Sequence, residues 1–302
     1  MTRPGYRGRI APSPSGWLHL GHARTFWIAY QRALAAGGVL VFRNEDLDPQ
    51  RSRPEFARAM VADLSWLGIV WQEGPTVNAN GEPSGVEVGP DAPYQQSQRR
   101  DLYLAAWRKL LTGGHLYPCH CSRKELAQAA SAPHESTAEP VLETLYPGTC
   151  RRELSVTEIA EWSEHGPAGA NWRFHLHATE PVHFCDNNPS FGAQSFTPGR
   201  DFGDFPVWRR DDVPAYQLAV VVDDAAMRIS EVVRGADLLL STARQILLQR
   251  VLVGADAVVP QYFHCELLTD ADGQRLAKRS DALSLRTLRE QGWTPERVRA
   301  SW

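Results

Sequence analysis

Arg7-Gly8-Arg9-Ile10-Ala11-Pro12-Ser13-Pro14-Ser15-Gly16-Trp17-Leu18-His19-Leu20-Gly21-His22 is the stretch that decides the fold class. Arg7 to Ala11 is a short strand candidate, and Pro12 to Gly16 breaks it. Ala23, Phe26, Trp27, Tyr30 and Leu34 then recur at helical spacing, and Gly37-Gly38 ends that helix. Val39 to Phe42 is a continuous apolar run, as a strand buried on both faces requires. Ser52-Arg53-Pro54-Glu55 reads as a capping box with proline in the first turn. It opens a helix whose apolar face carries Phe56, Met60, Leu64 and Leu67. Two strands, each followed by a helix, predict a right-handed βαβ unit and a parallel sheet, hence an α/β fold.

Outward from there, Pro75 to Pro93 is rich in Gly, Pro, Asn and Asp and reads as a surface loop. Ser97 to Leu111 is a helix with Tyr103, Ala106, Trp107 and Leu110 on one face. Cys119 to Cys150 has little periodicity, three cysteines and an alanine-rich middle (Ala129 to Glu139). Asn171 to His177 alternates, so it reads as a half-buried strand with Trp172, Phe174 and Leu176 inward. Ala215 to Val222 is apolar enough to be buried. Ile229 to Val233 and Tyr262 to Leu268 are strand candidates, and Leu238 to Leu252 is a long amphipathic helix between them. Cys185 and Cys265 sit in apolar strand contexts and read as core residues. His175, His177 and His183 could form a metal set, but the first two fall on the polar face of an alternating strand, which favours a solvated role.

Composition narrows the function. The 302 residues are 43% hydrophobic and 22% charged, ordinary for a globular chain of about two domains. No run of about 18 apolar residues predicts a membrane span, and the N-terminus lacks a secretory apolar region. Five cysteines fit a reducing cytoplasm better than a disulfide scaffold. The net charge of −3 argues against a purely charge-driven nucleic-acid binder, although residues 1–70 hold nine arginines against five acids. Lys109, Lys124 and Lys278 are the three lysines, and none lies in a P-loop; nor does a dinucleotide-binding glycine motif follow a strand.

His19-Leu20-Gly21-His22 stands between the first strand and the first helix, where free backbone N–H groups and the helix dipole favour anions. Two imidazoles there can stabilise charge on a transferring phosphate, and Gly21 lets a group approach the backbone. They can equally cap the helix. Downstream, Gly273-Gln274-Arg275-Leu276-Ala277-Lys278-Arg279-Ser280 is a basic loop whose lysine could close over ATP phosphates. Separately, Cys119-His120-Cys121 and Tyr146-Pro147-Gly148-Thr149-Cys150 offer three thiolates for tetrahedral Zn²⁺, with Tyr146 or His120 as the fourth donor.

Taken together, these blocks resemble the class I aminoacyl-tRNA synthetases. Arg9 to His22 is similar to the start of glutamyl-tRNA synthetases, as are Asn44-Glu45-Asp46-Leu47-Asp48-Pro49, Tyr94-Gln95-Gln96-Ser97-Gln98-Arg99, Ala215 to Asp224 and Val233-Arg234-Gly235-Ala236-Asp237, in that order. The resemblance covers about residues 5–285. Within that superfamily the chain looks like the short paralogues, the glutamyl-queuosine tRNA(Asp) synthetases, which lack an anticodon-binding domain.

The resemblance implies an α/β, Rossmann-like catalytic core with a small zinc-containing insertion and a short helical C-terminal segment. The implied division is 1–112 (first half of the catalytic domain), 113–200 (insertion, with the zinc site at 119–150), 201–268 (second half) and 269–302 (lysine loop and helical tail). It further implies that Arg9, Ile10, Ala11, Pro12, Ser13, Glu45, Tyr216 and Arg234 bind L-glutamate. Arg9 would grip a carboxylate, Glu45 would meet the ammonium and Arg234 would clamp a second carboxylate. His19, Gly21, His22 and Lys278 would bind ATP, supplied with Mg²⁺ as a substrate, with His19, His22 and Lys278 catalytic. Cys119, Cys121, Tyr146 and Cys150 would hold one structural Zn²⁺ per chain. Asp223 and Asp224 could reach ATP or its metal, or cap a helix. The implied partner is queuosine-modified tRNA(Asp), met by a cytoplasmic monomer. Two alternatives remain: a truncated glutamyl-tRNA synthetase charging a tRNA 3′ end, and a non-catalytic zinc-containing RNA-binding module. The lysine loop departs from the family's Lys-Leu-Ser-Lys core by having Arg275 and Ala277.

Overall fold

A computed structural model describes residues 5–121, 145–254, 259–268 and 284–302. The elements run β1 (Arg7–Ile10), α1 (Leu20–Ala35), β2 (Val39–Phe42), α2 (Pro54–Trp66), β3 (Gly74–Val77), β4 (Pro83–Val88), α3 (Arg100–Thr112) and β5 (Leu116–Cys119). After these come α4 (Val156–His165), β6 (Asn171–Phe174), β7 (Val182–Cys185), β8 (Ala193–Phe196), β9 (Phe205–Trp208), α5 (Tyr216–Ala226), β10 (Glu231–Gly235), α6 (Leu239–Val253), β11 (Gln261–Cys265), α7 (Leu285–Glu290) and α8 (Pro295–Arg299).

The expected parallel pair forms from β1 and β2, with Ile10 opposite Phe42. A second parallel pair joins β10 and β11, with Arg234 opposite His264. The two pairs meet where Ser230 N donates to Arg7 O at 2.9 Å and Arg7 N donates to Ser230 Oγ at 2.8 Å. One apolar core gathers Ile10, Leu40 and Phe42 with α1, α2 and the C-terminal α7 and α8. A second packs α3, α5 and α6 around Trp107, Trp172 and Trp208. Burial of these side chains on both faces of short strands is the main driving force for the arrangement.

Several expectations need correction. Ser52 caps nothing: α2 starts from Arg53 with Pro54 in its first turn, and no side chain caps it. Ser52 N instead donates to Asp48 O at 2.8 Å, closing the preceding turn. Residues 75–93 are not a plain loop, because β3 and β4 pair antiparallel there. Helix α6 is buried at every position from Ser241 to Gln249, so it is a core helix rather than an amphipathic one. Cys265 is buried, but Cys185 is exposed, since β7 alternates and turns His183 and Cys185 outward. Strands β5, β6 and β9 form one antiparallel sheet.

Candidate active site

The backbone between β1 and α1 positions the histidine pair. His19 is the N-cap of α1, and its Nδ1 accepts from Gly21 N at 3.1 Å. His22 answers by accepting from His19 N at 3.5 Å, which completes a capping box made of imidazoles. The rings stack with centroids 3.7 Å apart. A Cβ on Gly21 would come within 2.9 Å of the His19 ring, so only glycine admits this stacking without a shift. Capping and presentation of both rings at the positive end of a helix are therefore one arrangement.

The expected substrate residues converge from four elements. Arg9 leaves the end of β1 and is 4% exposed. Its Nη1 donates to Val233 O at 3.0 Å, and its Nε lies 3.7 Å from Asp224 without a hydrogen-bond partner. Burial pulls the Arg9 pKa down; Asp224 opposes that, and Arg43 and Arg234 add to it. Glu45 follows β2, with its backbone N donating to Pro12 O at 3.0 Å. Burial raises the Glu45 pKa, while Arg43 and then Arg9 favour its charged form. Tyr216, at the start of α5, is 37% exposed and opens the group to solvent. Burial raises its pKa too, and Arg234, Glu45, Arg9 and Asp224 all act on it. Arg234 lies on β10 and is 4% exposed. Ile10 and Pro12 are buried, Ala11 is half-buried and Ser13 is exposed at the strand end.

Beneath these residues lies a buried ion network that local sequence patterns do not reveal. Arg43 is fully buried, with Nη1 2.7 Å from Asp224, Nη2 3.1 Å from Glu45 and Nε 3.6 Å from Asp223. Burial works against its charge, but Asp224, Asp223 and Glu45 more than compensate and raise its pKa. Asp223 also accepts from Arg99 Nε at 2.7 Å, Gln96 Nε2 at 2.7 Å and Tyr103 OH at 2.9 Å. The two aspartates thus neutralise buried arginines. The blocks around Glu45 and Gln96 are clasped directly, since Asn44 N donates to Tyr94 O at 2.9 Å and Gln96 N to Asn44 O at 3.0 Å. Arg43, a charge at the end of an apolar strand, signals that a partner is needed there but not which one.

Cys119, Cys121 and Cys150 bring their sulfurs within 4.8 Å of one another, a set that could hold a metal ion. Tyr146 OH lies 3.5 Å from the Cys119 sulfur and 3.8 Å from that of Cys121. His120 is exposed. Arg173 stacks on the Tyr146 ring at 3.8 Å and keeps it in place. Burial opposes the Cys150 thiolate, but the donors around it, Tyr146 first, bring its pKa down to about 7. Lys278, with Arg275 and Ala277, lies outside the described residues, as does the stretch 129–139.

Residues 6–301 match the family described as class I tRNA synthetases (E and Q), catalytic domain. A protein from Symbiobacterium thermophilum named Glutamyl-Q tRNA(Asp) synthetase is 48% identical over 96% of this chain and 83% of its own length. Glutamate--tRNA ligase 1 of Halorhodospira halophila is 40% identical over 98% of this chain, which spans 57% of that protein. Among solved structures, the glutamate-tRNA synthetase of Elizabethkingia anophelis superposes with a TM-score of 0.72 at 29% identity. The match covers 96% of this chain and 54% of that one. No helix among the described residues is long and apolar enough to cross a membrane.

Proposed function

The chain belongs to the class I tRNA synthetase (E and Q) catalytic family, and on that premise we propose that it activates L-glutamate with ATP and transfers it to the queuosine base in the anticodon of tRNA(Asp). The observation that carries this reading is the 48% identity to a protein named for that reaction, against 40% to a glutamate--tRNA ligase. In the first step the α-carboxylate of glutamate attacks the α-phosphorus of Mg²⁺-bound ATP in line. Pyrophosphate leaves with the electron pair of the broken P–O bond, and glutamyl-adenylate remains. A hydroxyl of the queuosine base then attacks the activated carbonyl and AMP departs.

The chain's part in both steps is positioning and charge. Arg9 offers its unpaired Nε to a carboxylate, Glu45 meets the ammonium, Tyr216 lines the exposed edge and Arg234 takes the second carboxylate. Two arginines and one acid complement glutamate's two negative charges and one positive charge. His19 and His22 stabilise charge on the phosphates with Lys278, and Gly21 keeps the backbone accessible beside them. Cys119, Cys121, Cys150 and Tyr146 would hold a structural Zn²⁺ that fixes the insertion, a role suited to a closed tetrahedral site.

The 40% identity to a glutamate--tRNA ligase supports a second reading, in which a tRNA 3′ end receives the glutamate. One experiment separates the two. The protein is incubated with ATP, labelled glutamate and, in turn, tRNA(Asp) with queuosine, tRNA(Asp) without it, and tRNA(Glu), and the RNA is then cleaved. Label in the anticodon fragment of modified tRNA(Asp) alone supports the proposal, whereas label at the 3′ end of tRNA(Glu) overturns it. Metal analysis of the same preparation should find about one Zn²⁺ per chain, and less than about half an equivalent would count against the sulfur site.

A further inference from the structure

A second buried network reaches the site from β11, and the substrate contacts assigned above leave it unused. Arg234 and His264 are register partners on adjacent parallel strands. Arg234 Nε donates to His264 Nε2 at 3.2 Å, Nη1 donates to Gln245 Oε1 at 2.7 Å and Nη2 donates to Thr242 Oγ1 at 2.7 Å. Gln245 Nε2 in turn donates to Gln217 Oε1 at 2.9 Å, next to Tyr216, and Gln217 Nε2 to Ser241 Oγ at 3.0 Å. All of these acceptors are neutral. Among the described residues no carboxylate lies within ion-pair distance of Arg234, so its buried positive charge is held in place but not neutralised.

A guanidinium carries donors only, so the His264 nitrogen that faces it must bear a lone pair. The ring proton then sits on Nδ1, which faces the Asp186 carboxylate. Asp186 is itself fixed by the backbone: its Oδ1 accepts from His264 N at 3.1 Å and from Asn188 N at 2.9 Å. Asn188 Nδ2 donates back to His264 O at 2.7 Å. Both the His264 and Asp186 side chains are completely buried. Burial, reinforced by Arg234, lowers the His264 pKa to about 4 against the pull of Asp186, which keeps the ring neutral at pH 7.

We propose that Asp186 and His264 are positioning residues for Arg234. Asp186 selects the Nδ1–H tautomer of His264, the bare Nε2 orients the Arg234 guanidinium, and that orientation sets the preference for glutamate over glutamine. A carboxylate can take two parallel hydrogen bonds from a correctly turned guanidinium, whereas a carboxamide offers one oxygen. The inference rests on the reading of Arg234 as the contact to the second carboxylate.

Glutamate-dependent ATP–pyrophosphate exchange on the full chain tests it. His264→Leu removes the acceptor and should raise the glutamate KM about tenfold, the loss expected for one hydrogen bond to a charged group. The glutamate-over-glutamine preference should fall by a similar factor, with kcat and the ATP KM nearly unchanged. His264→Gln, which can present an oxygen in the same direction, should recover part of both losses. A folded His264→Leu protein with unaltered glutamate KM and preference overturns the proposal. Arg234→Lys separates the two layers: if it too leaves the glutamate KM unaltered, the reading of Arg234 has failed, and if it alone raises the KM, only the role of His264 has. Should His264→Leu fail to fold, ¹⁵N-histidine NMR of the unaltered protein decides. An unprotonated Nε2 at pH 7 is required, and an Nε2–H tautomer or an imidazolium at His264 overturns the proposal.

Discussion

Arg43 and Arg234 are both buried beneath the same site, yet they keep opposite company. Arg43 lies among three carboxylates, those of Asp223, Asp224 and Glu45, at 2.7 to 3.6 Å. Arg234 is surrounded by an imidazole, an amide and a hydroxyl. Arg234 has a hydrogen-bond acceptor at each of its three nitrogens, whereas Arg43 Nε has none. Only Arg43 has its charge met, by the carboxylates around it. The difference separates a cation that holds the protein together from one that is held ready for an anion. Arg9 stands between them: a carboxylate lies 3.7 Å away, and its Nε has no hydrogen-bond partner.

The sharpest test of that contrast is stability. Arg43→Met leaves Asp223, Asp224 and Glu45 facing one another with less compensation, and removing one partner of a buried ion network costs about 3–5 kcal/mol. Urea unfolding should show a loss of this size. A loss below about 1 kcal/mol would mean that the acids are neutralised by other means, and the comparison would break. Arg234→Lys should behave differently. Its charge remains but its fork is lost, so glutamate binding should weaken by about 1.5–3 kcal/mol, roughly tenfold to a hundredfold in KM, and by more than stability falls. Arg9→Lys should have the smaller effect on stability, because a single hydrogen bond, to Val233 O, is given up; that is worth about 1 kcal/mol. Its glutamate KM should still rise. If Arg9→Lys destabilises the protein more than Arg234→Lys does, the ranking of the two sites is wrong.

The same contrast explains which parts were legible in the sequence. Strand β1, helix α1 and strand β2 could be read because apolar spacing records burial on a fixed period. Helix α4 has no fully buried residue, and its apolar face is a short one, Ile159 and Trp162 resting half-buried on the core. This helix went unread in the sequence, although Ser155 and Glu158 form a true capping box at its start, whereas the same Ser-x-x-Glu spacing at Ser52 caps nothing. The spacing rule holds only where the helix begins directly after the serine. The β3–β4 hairpin is largely exposed along β4, so composition marks it as surface without revealing its pairing. Arg9, Glu45, Tyr216 and Arg234 were accessible through resemblance to a family rather than through periodicity. Their supporting partners were not accessible at all. Arg43 meets Asp224 across 181 residues and Asp186 meets His264 across 78, and no local pattern encodes such distances.

Asp63 carries the comparison to its limit, a buried acid with no ion pair within 4 Å among the described residues. It lies on α2, 3% exposed, and its Oδ2 finds no hydrogen-bond donor among the described residues. Burial raises its pKa to about 6; Arg289 and Arg286 from α7 pull it down, and Glu82 and Glu290 push it up. A carboxyl whose pKa is higher in the folded state favours folding most when protonated. Its contribution is therefore complete below the unfolded value, about 4, and is lost as pH rises through about 6. Asp63→Asn removes that titration while keeping the shape. Unfolding free energies measured from pH 4 to pH 7 should decline less steeply for the variant, and at pH 7 it should be the more stable protein by about 1 kcal/mol. The gain stays below the full linkage value because the amide still has polar atoms to bury. Parallel pH profiles for the two proteins would show that Asp63 is compensated after all, and the rule that separates Arg43 from Arg234 would then fail where it should hold most simply.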